Sequence, residues 1–296
     1  MQGIYLCVMF NLLDKIKENP VYYNQLSIDD QLMTKYNCPL ENDREKVWTH
    51  ESYFVYVLEG RKIWHIPGEA FELTAGKCIY VKKGAHIVEQ FFDTTFCLVI
   101  FFLSDQFIAD TMRTIPRLNS NTSGPTGKTI LNVDADDTLH SFFNSVLPYF
   151  LNHGKANKTL LELKFRELIL NVVHNPANKH ITEYFYSLQN DSPTDNIRRI
   201  MEDNFYHNLG LEEFAKLSGC SLSVFKRRFA EYYKTTPGKW LLEKRLIHAM
   251  GLLITTKKTI GEIAFDCGFE NLSHFSRSFK LHYGNSPATY REEVEL

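Results

Sequence analysis

Two stretches of the chain align with each other: LEEFAKLSGCSLSVFKRRFAEYYKTTPGKW at residues 211–240 and IGEIAFDCGFENLSHFSRSFKLHYGNSPATY at residues 260–290. The offset between them is 49 residues up to the glycine, from Gly219 to Gly268, and 50 after it. Self-similarity at this period indicates a repeated supersecondary unit. Each copy is predicted to contain two short amphipathic helices joined by a glycine turn, a pattern typical of a double helix-turn-helix.

The helices predicted in each copy have recognisable start signals. Ser221 is a good N-cap for a helix over 222–233. Pro237 begins a longer helix that connects the two copies, since proline is favoured in the first turn of a helix. We therefore expect helix-turn-helix units at about 209–233 and 259–283.

The composition is that of an ordinary globular protein. The chain has 296 residues, of which 44% are hydrophobic and 23% charged, and this length suffices for two domains. The formal net charge is −2, but from Ser221 to Arg245 there are seven basic and two acidic residues, a pattern typical of a module that contacts phosphates. The six cysteines include no C-x-x-C pair, which favours buried thiols in a reducing cytosol over a zinc ribbon or disulfide framework. Neither a signal peptide nor a membrane span is predicted, so we expect a cytoplasmic protein.

Residues 20–110 have the pattern of β structure. Short runs of β-branched and aromatic residues are separated by turn signals, which are Glu59-Gly60, Pro67-Gly68, Ala75-Gly76 and Lys83-Gly84. Several strands at this spacing favour a sandwich or a barrel. The order of strands and turns, with Lys-Gly-Ala-His before a late strand, resembles the small cupin-like barrels.

A barrel of this kind has an interior able to hold a small ligand. Aromatic and histidine side chains on its strands are candidates for lining that interior, and the aromatic ones are equally compatible with a plain hydrophobic core. The candidate effector-binding residues are Trp48, Tyr53, Tyr56, Trp64 and His86.

A metal site in such a barrel would require three or four converging ligands. His50, His65 and His86 are the candidates, but His50-Glu51 lacks the H-x-H pair expected of an early cupin motif, and His86 alone matches the later position. The sequence therefore favours histidines hydrogen-bonded near a barrel mouth, and it predicts no metal and no cofactor.

Residues at about 134–190 are predicted to be helical. Acidic residues open a first helix at Asp134, and a second helix near 157–171 carries an apolar band wider than one core-facing stripe needs. This band either packs only on the barrel or also joins two copies of the chain. Residues 113–130, rich in Asn, Ser, Thr, Gly and Pro, are predicted to be a loop or linker before the helices.

Three strings in the C-terminal region carry a family resemblance. They are A-x3-G-x-S-x3-F-x-R-x-F in the first copy, R-L-x-x-A-x-x-L-L in the connecting helix, and I-x-E-I-A-x-x-x-G-F-x-x-x-S-x-F-S-R-x-F-K-x-x-Y-G-x-S-P-x-x-Y-R in the second copy. Over about 195–291 these strings resemble the AraC/XylS family of bacterial transcription regulators. The order of a cupin-like segment, helices and then the repeat is similar to the family's usual order.

The resemblance implies an α+β fold with two domains. The first, at 1–190, is expected to be a cupin-like sensor and dimerisation domain, with a β-barrel followed by helices. The second, at 194–296, is expected to be an all-α, AraC-type DNA-binding domain. The implied function is sequence-specific regulation of transcription, as an activator that contacts RNA polymerase, under control of a small molecule or a regulatory protein. A homodimer through the helices at about 134–190 and binding to double-stranded promoter DNA are part of the same expectation.

The exposed face of each second helix is the expected DNA contact, because a helix fits the major groove and residues at i, i+3 and i+4 reach base edges together. By resemblance, the base- and phosphate-contacting positions are Ser223, Lys226, Arg227 and Arg228 in the first copy and Leu272, Ser273, His274, Ser276, Arg277 and Lys280 in the second. Arg228 and Lys280 are as compatible with a solvated surface as with phosphate contacts. Leu272, at a position often polar in the family, contacts either a thymine methyl or nothing.

Two other classes of protein are weighed against a regulator. A metal-dependent cupin enzyme fused to a DNA-binding module requires a ligand cluster that the histidines do not supply. A DNA-alkylation repair protein requires an activated acceptor cysteine, typically within an N-terminal cysteine cluster, and none is visible in the sequence. The sequence therefore predicts a protein that is not an enzyme.

Overall fold

The structure is a computed structural model, and it describes residues 9–20, 22–37, 44–66, 69–91, 95–116, 128–152, 157–189 and 192–294. The chain forms two compact units, Met1–Asp191 and Ser192–Leu296. Most of the predicted linker at 113–130 lies outside the described residues. Within the described ranges, no helix is long and apolar enough to cross a membrane.

The N-terminal unit contains two β-sheets. Its strands are β1 (Phe10–Asn11), β2 (Asn24–Ile28), β3 (Gln31–Asn37), β4 (Arg44–Thr49), β5 (Ser52–Glu59), β6 (Arg61–Ile66), β7 (Glu69–Thr74), β8 (Cys78–Val81), β9 (Gly84–Gln90), β10 (Cys97–Leu103) and β11 (Ile130–Val133). Sheet A has the order β1-β4-β9-β6-β7, and sheet B has the order β11-β8-β5-β10-β3-β2. Only the pairing of β1 with β4 is parallel among the described strand pairs.

These strands do not close into one barrel. In the described part of the chain, sheet A ends at β1 and β7, and sheet B ends at β2 and β11. One core cluster combines Val47 and Val88 of sheet A with Val55 and Ile100 of sheet B, so the two sheets pack face to face. The prediction of a barrel is therefore corrected to two packed sheets. A strand pattern shows which residues are extended, but it does not show which strand edges pair.

Sheet B is covered on both faces. In β5, Tyr53 and Val55 belong to the core between the sheets, whereas Phe54 and Tyr56 belong to a second core shared with helices. Successive side chains of a strand point to opposite faces, so double coverage requires apolar residues at every position. This explains the uninterrupted apolar run of β10, which is buried at all its positions.

Five α-helices occur in the described residues of the N-terminal unit. They are α1 (Leu12–Glu18), α2 (Asp105–Arg113), α3 (Asp137–Val146), α4 (Lys158–His174) and α5 (Lys179–Leu188). The helices α3, α4 and α5 lie within the range 134–190 that is predicted to be helical. The helix α2 is not predicted from the sequence, and it begins inside the range predicted as barrel. Its start is marked by Ser104, whose Oγ accepts a hydrogen bond from the backbone N–H of Phe107 at 3.2 Å.

The C-terminal unit is all helical in its described residues. Its helices are α6 (Pro193–Asn204), α7 (Leu211–Leu217), α8 (Leu222–Tyr233), α9 (Pro237–Thr255), α10 (Ile260–Asp266), α11 (Leu272–Tyr283) and α12 (Pro287–Val294). The pairs α7–α8 and α10–α11 are the two predicted helix-turn-helix units, and α9 connects them. The chain therefore has a sheet-rich N-terminal domain and a helical C-terminal domain.

Candidate nucleic-acid interface

The two helix-turn-helix copies have the same element lengths. The helices α7 and α10 have 7 residues each, and α8 and α11 have 12 residues each. Both turns contain a glycine in the left-handed region, Gly219 with φ +67° and Gly268 with φ +76°. One residue separates Gly219 from the N-cap Ser221, whereas two residues separate Gly268 from the N-cap Asn271. This longer second turn is the source of the one-residue change in offset.

Side-chain caps define where the second helix of each copy begins. In the first copy, Ser221 Oγ accepts a hydrogen bond from the backbone N–H of Val224 at 3.4 Å. In the second, Asn271 Oδ1 accepts one from the backbone N–H of His274 at 2.7 Å. Such caps satisfy backbone donors that a helix start leaves unpaired, and each typically contributes about 1 kcal/mol. They fix the first turn of each helix, which is where a recognition helix contacts bases.

A matching aromatic core holds each recognition helix by its inner face. The ring of Phe229 on α8 lies 5.8 Å from the ring of Trp240 in an edge-to-face arrangement. The ring of Phe279 on α11 lies 5.6 Å from the ring of Tyr290 in the same arrangement. Both phenylalanines are fully buried. Anchoring of this face fixes which residues of each helix point outward.

The outward faces carry the predicted DNA-contacting residues. Ser223 and Arg227 are one turn apart on α8, and both lie on the side opposite the buried Phe225. Ser273 and Arg277 have the same arrangement on α11. The exposed members of the predicted set are Ser223, Lys226, Arg227, Leu272, Ser273, His274, Arg277 and Lys280, and the half-buried members are Arg228 and Ser276.

The two faces differ in charge. On α8, Lys226 and Arg228 flank Arg227, so three cationic side chains are consecutive. Their counterparts on α11 are Ser276 and Ser278, which leave Arg277 as the central cation. The first copy therefore presents the stronger positive field, which attracts phosphates without regard to sequence.

One further outward position in each copy is not among the predicted contacts. Glu231 and Leu281 lie one turn beyond Arg227 and Arg277 on the same faces, and both are exposed. Leu281 is 82% exposed, the highest value among the exposed large hydrophobic residues of the described chain. The i+4 spacing from each arginine is the signal that identifies these positions.

The recognition helices end differently in the two copies, and this leads to a stability prediction. Lys234 ends α8 with φ +56°, whereas Gly284 ends α11 with φ +87°. A lysine is strained in the left-handed region and glycine is not, so Lys234→Gly should raise the free energy of unfolding by about 0.5–1 kcal/mol. Chemical denaturation of the full chain measures this. The matched change Gly284→Ala should lower stability by a similar amount, and a stabilising Gly284→Ala would contradict the explanation.

Three of the predicted effector-binding residues form a hydrogen-bonded group inside the N-terminal unit. Trp64 Nε1 donates to the hydroxyl of Tyr53 at 3.3 Å, and that hydroxyl lies 2.6 Å from His86 Nε2. When the tyrosine donates its proton to Nε2, the imidazole proton resides on Nδ1. Among the described residues, His86 Nδ1 has no hydrogen-bond partner. A buried ring nitrogen left in this condition typically costs about 1–3 kcal/mol.

The other two predicted effector-binding residues lie elsewhere. Tyr56 is on the opposite face of sheet B from Tyr53, where its ring stacks on Phe143 with a 4.0 Å centroid distance and its hydroxyl lies 2.8 Å from His140 Nδ1. The two tyrosines are an odd number of positions apart on β5, so strand alternation separates them. Trp48 is buried on β4, and its ring centroid lies 6.3 Å from the imidazole of His50. The aromatic candidates therefore do not share one lining.

Burial of His86 predicts a pH-dependent stability. Burial lowers the pKa of His86 from 6.5 to about 3, so the neutral imidazole contributes stability that is fully present above pH 6.5 and is lost as the pH falls towards 3. The pKa of Glu51 is raised from 4.5 to about 7 by burial and then by Asp105, and its contribution changes in the opposite direction between those pH values.

Comparison of the wild type with His86→Gln isolates the histidine, because Glu51 is present in both. The stability advantage of the wild type should shrink as the pH falls from 7 to 5, by at most about 1.4 kcal/mol per pH unit. Urea denaturation at several pH values measures it. An advantage that stays constant over this range would contradict a neutral, buried His86.

The candidate metal ligands each have a different partner. His50 Nδ1 lies 3.1 Å from the amide nitrogen of Asn11, His65 Nε2 lies 2.7 Å from a carboxylate oxygen of Glu89, and His86 pairs with Tyr53. In the part of the chain that the structure describes, no group of three His, Cys, Asp or Glu residues is arranged to hold a metal ion.

Both units match known protein families. The family model of the ExsA N-terminal regulatory domain matches residues 52–184, and a helix-turn-helix domain model matches residues 214–293. The virulence regulon transcriptional activator VirF of Yersinia enterocolitica is 24% identical over 249 residues, which cover 83% of this chain and 91% of the relative. The HTH-type transcriptional regulator ExsA of Pseudomonas aeruginosa is 23% identical over 253 residues, which cover 77% of this chain and 91% of the relative. The solved DNA-binding domain of AdpA in complex with a target DNA has 27% identity and a TM-score of 0.34, and covers 36% of this chain and 95% of that domain.

The paired recognition helices, their exposed polar faces and the matches to the helix-turn-helix model and to the regulators VirF and ExsA define a DNA-binding transcription regulator. More particularly, the chain belongs to the AraC/XylS family of transcription regulators.

Proposed function

We propose that this protein is a sequence-specific transcription activator that reads promoter DNA with α8 and α11. The observation that carries the proposal is the pair of capped helices, each held by a buried phenylalanine and each exposing a serine and an arginine one turn apart. Two such helices joined by α9 would enter successive major grooves on one side of the duplex, about 34 Å apart. Arg227 and Arg277 would contact bases, since arginine pairs with guanine through two hydrogen bonds.

Selection from a random DNA library by the full-length chain tests this mode of binding. We expect enrichment of one long site with two conserved blocks whose centres are about 10 base pairs apart. Footprinting should then show both blocks protected by the same molecule. Failure to enrich any sequence, or enrichment of a single short block, would contradict the proposal.

Activation is the direction of regulation that we propose. Its support is the relative VirF, whose name describes a transcriptional activator. An activator of this kind would contact RNA polymerase at the promoter, and this work would take place in the bacterial cytoplasm. Transcription in vitro from a promoter carrying the selected site should rise when the protein is added. A fall in transcription would contradict activation while leaving DNA recognition intact.

For the N-terminal unit we propose a regulatory role without catalysis, in which it responds to a small molecule or a regulatory protein. The support is its match to a regulatory domain together with the buried group of Tyr53, Trp64 and His86. In the tautomer that carries its proton on Nδ1, His86 would donate to an acceptor atom of a ligand, because a buried donor gains more than an exposed one from a new hydrogen bond. Trp48 and Tyr56 contribute to the packing around the sheets in this proposal.

We further propose that two copies of the chain associate through α4. Leu160 and Leu163 are 48% and 56% exposed on this helix, while Leu161, Phe165 and Leu168 on its other side are buried. The helix therefore packs on its own unit and still exposes an apolar strip. Exposed apolar strips on a helix are typical of helix-to-helix association.

The double variant Leu160→Glu with Leu163→Glu should abolish this association. Charged side chains in a helix-to-helix contact are costly to desolvate, so the sedimentation coefficient should shift from that of a dimer to that of a monomer. Analytical ultracentrifugation of the full chain measures the change. Leu281→Glu is the control, since it places a glutamate at another exposed leucine, on α11 of the C-terminal unit. A wild type that is already monomeric at micromolar concentration would rule out the α4 contact.

A further inference from the structure

The guanidinium of Arg245 on α9 binds three backbone carbonyls at once. Its Nε donates to the carbonyl oxygen of Phe205 at 2.8 Å, and its Nη2 donates to those of His207 at 2.6 Å and Leu209 at 3.2 Å. These carbonyls belong to the segment 205–209, which leads directly into α7 of the first copy. Arg245 thus fixes the start of the first helix-turn-helix onto the connecting helix.

The turn of the second copy packs against the same segment. A Cβ atom added at Gly268 would lie 2.7 Å from the carbonyl oxygen of His207 and 3.0 Å from Cζ of Arg245. The equivalent Gly219 of the first copy has open space around it. The second copy therefore approaches the segment 205–209 at a distance that only glycine permits. We call the assembly of Arg245, the segment 205–209 and Gly268 the Arg245 junction.

An open space lies between the two copies at this point. A cavity of about 540 Å³ lies beside the junction, and its walls include Leu211 at the start of α7 and Asn271 at the start of α11. The junction is a direct contact between the two copies at the edge of this cavity. Burial lowers the pKa of Arg245 from 12.5 to about 10, so the guanidinium stays charged at neutral pH and its hydrogen bonds are charge-assisted.

We propose that Arg245 is a positioning residue that sets the separation of the two recognition helices and so restricts the chain to one spacing between the two DNA blocks it reads. The planar guanidinium fork is rigid, and its three acceptors have fixed directions, so the fork holds the first copy in one orientation on α9. A lysine at this position has a compact ammonium group that cannot reproduce the fork. This inference rests on the DNA recognition proposed above.

The test measures affinity for DNA with altered spacing. The full-length chain is titrated by gel shift against its selected site and against the same site with one base pair inserted or deleted between the two blocks. For the wild type we expect the insertion or deletion to lower the affinity by about tenfold or more, because one base pair rotates the second block by about a tenth of a helical turn. For Arg245→Gln and Arg245→Lys we expect this penalty to fall to about threefold or less.

Three further variants separate positioning from a general loss of folding. Lys244→Gln removes a neighbouring charge on α9 that pairs with Glu202 at 3.3 Å, and it should keep the wild-type spacing penalty. Gly268→Ala displaces the second copy from His207 and should move the preferred spacing or flatten the penalty, whereas Gly219→Ala should do neither. Thermal unfolding of each variant confirms that it is folded at the assay temperature.

The outcomes distinguish this inference from the function on which it rests. A wild type that selects no sequence refutes the two-helix reading and the inference together. A wild type that selects a site and loses affinity on insertion, with Arg245 variants that lose affinity by the same factor, refutes the positioning role alone. A smaller loss of affinity on altered spacing in the folded Arg245 and Gly268 variants supports the positioning role.

Discussion

Replacing Arg227 or Arg277 with alanine is expected to weaken binding to the selected DNA site by about 1–3 kcal/mol, which is about 5- to 150-fold, and to relax the base preference in one block. Both side chains are exposed on faces that the buried phenylalanines hold outward. Arg227→Ala should affect the block read by α8, and Arg277→Ala the block read by α11. Quantitative gel shifts on single-base variants of each block measure the effect.

Arg198→Ala is the matched control for this experiment. Arg198 is an exposed arginine of the same unit, but it lies on α6 and pairs with Asp195 at 3.8 Å. Its loss should leave the affinity and the base preference unchanged. Unchanged affinity and preference in both Arg227→Ala and Arg277→Ala would rule out these residues as the readers of the sequence.

The double variant Lys226→Ala with Arg228→Ala should reduce the salt dependence of DNA binding. Each phosphate contact adds about 0.9 to the slope of log affinity against log salt, so the slope should fall by up to about 1.8. At low salt the variant should also bind more weakly to DNA of any sequence, because phosphate contacts carry no base preference. Titrations at several salt concentrations give the slope directly.

The second copy supplies the control for the expectation that the first copy provides most of the electrostatic affinity for DNA. Ser276 and Ser278 occupy the positions equivalent to Lys226 and Arg228, and alanine at both should leave the salt slope unchanged. If the slope is the same in the wild type and in the Lys226 and Arg228 variant, the first copy is not the main source of electrostatic affinity.

The helical repeat was predictable because its signals are local. Caps such as Ser221, the turn glycines and the phenylalanine spacing all act within a few residues, so the pattern identifies both helix-turn-helix units and their outward faces. Glu231 and Leu281 were missed although the same i+4 spacing points to them.

Tertiary relations were not predictable in the same way. Whether strands close into a barrel depends on the pairing of strand edges that are far apart in sequence. The helix α2 begins directly after a strand, with Ser104 as its N-cap, so its start is hidden within a segment that has a β pattern. The grouping of Tyr53 with His86, and the separation of Tyr56 from them, follow from the face that each residue occupies on a sheet covered on both sides. The Arg245 junction depends on carbonyls that have no sequence signature at all.

The extra residue in the second turn gives the protein a defined orientation on DNA. The turn after Gly219 and the longer turn after Gly268 make the two copies structurally unequal, and their helices α8 and α11 carry different side chains. In the proposed binding mode, a site turned end for end would place each block under the wrong helix. A bound molecule would therefore have one orientation along a promoter. The orientation of the site would then determine which side of the protein faces the start of transcription.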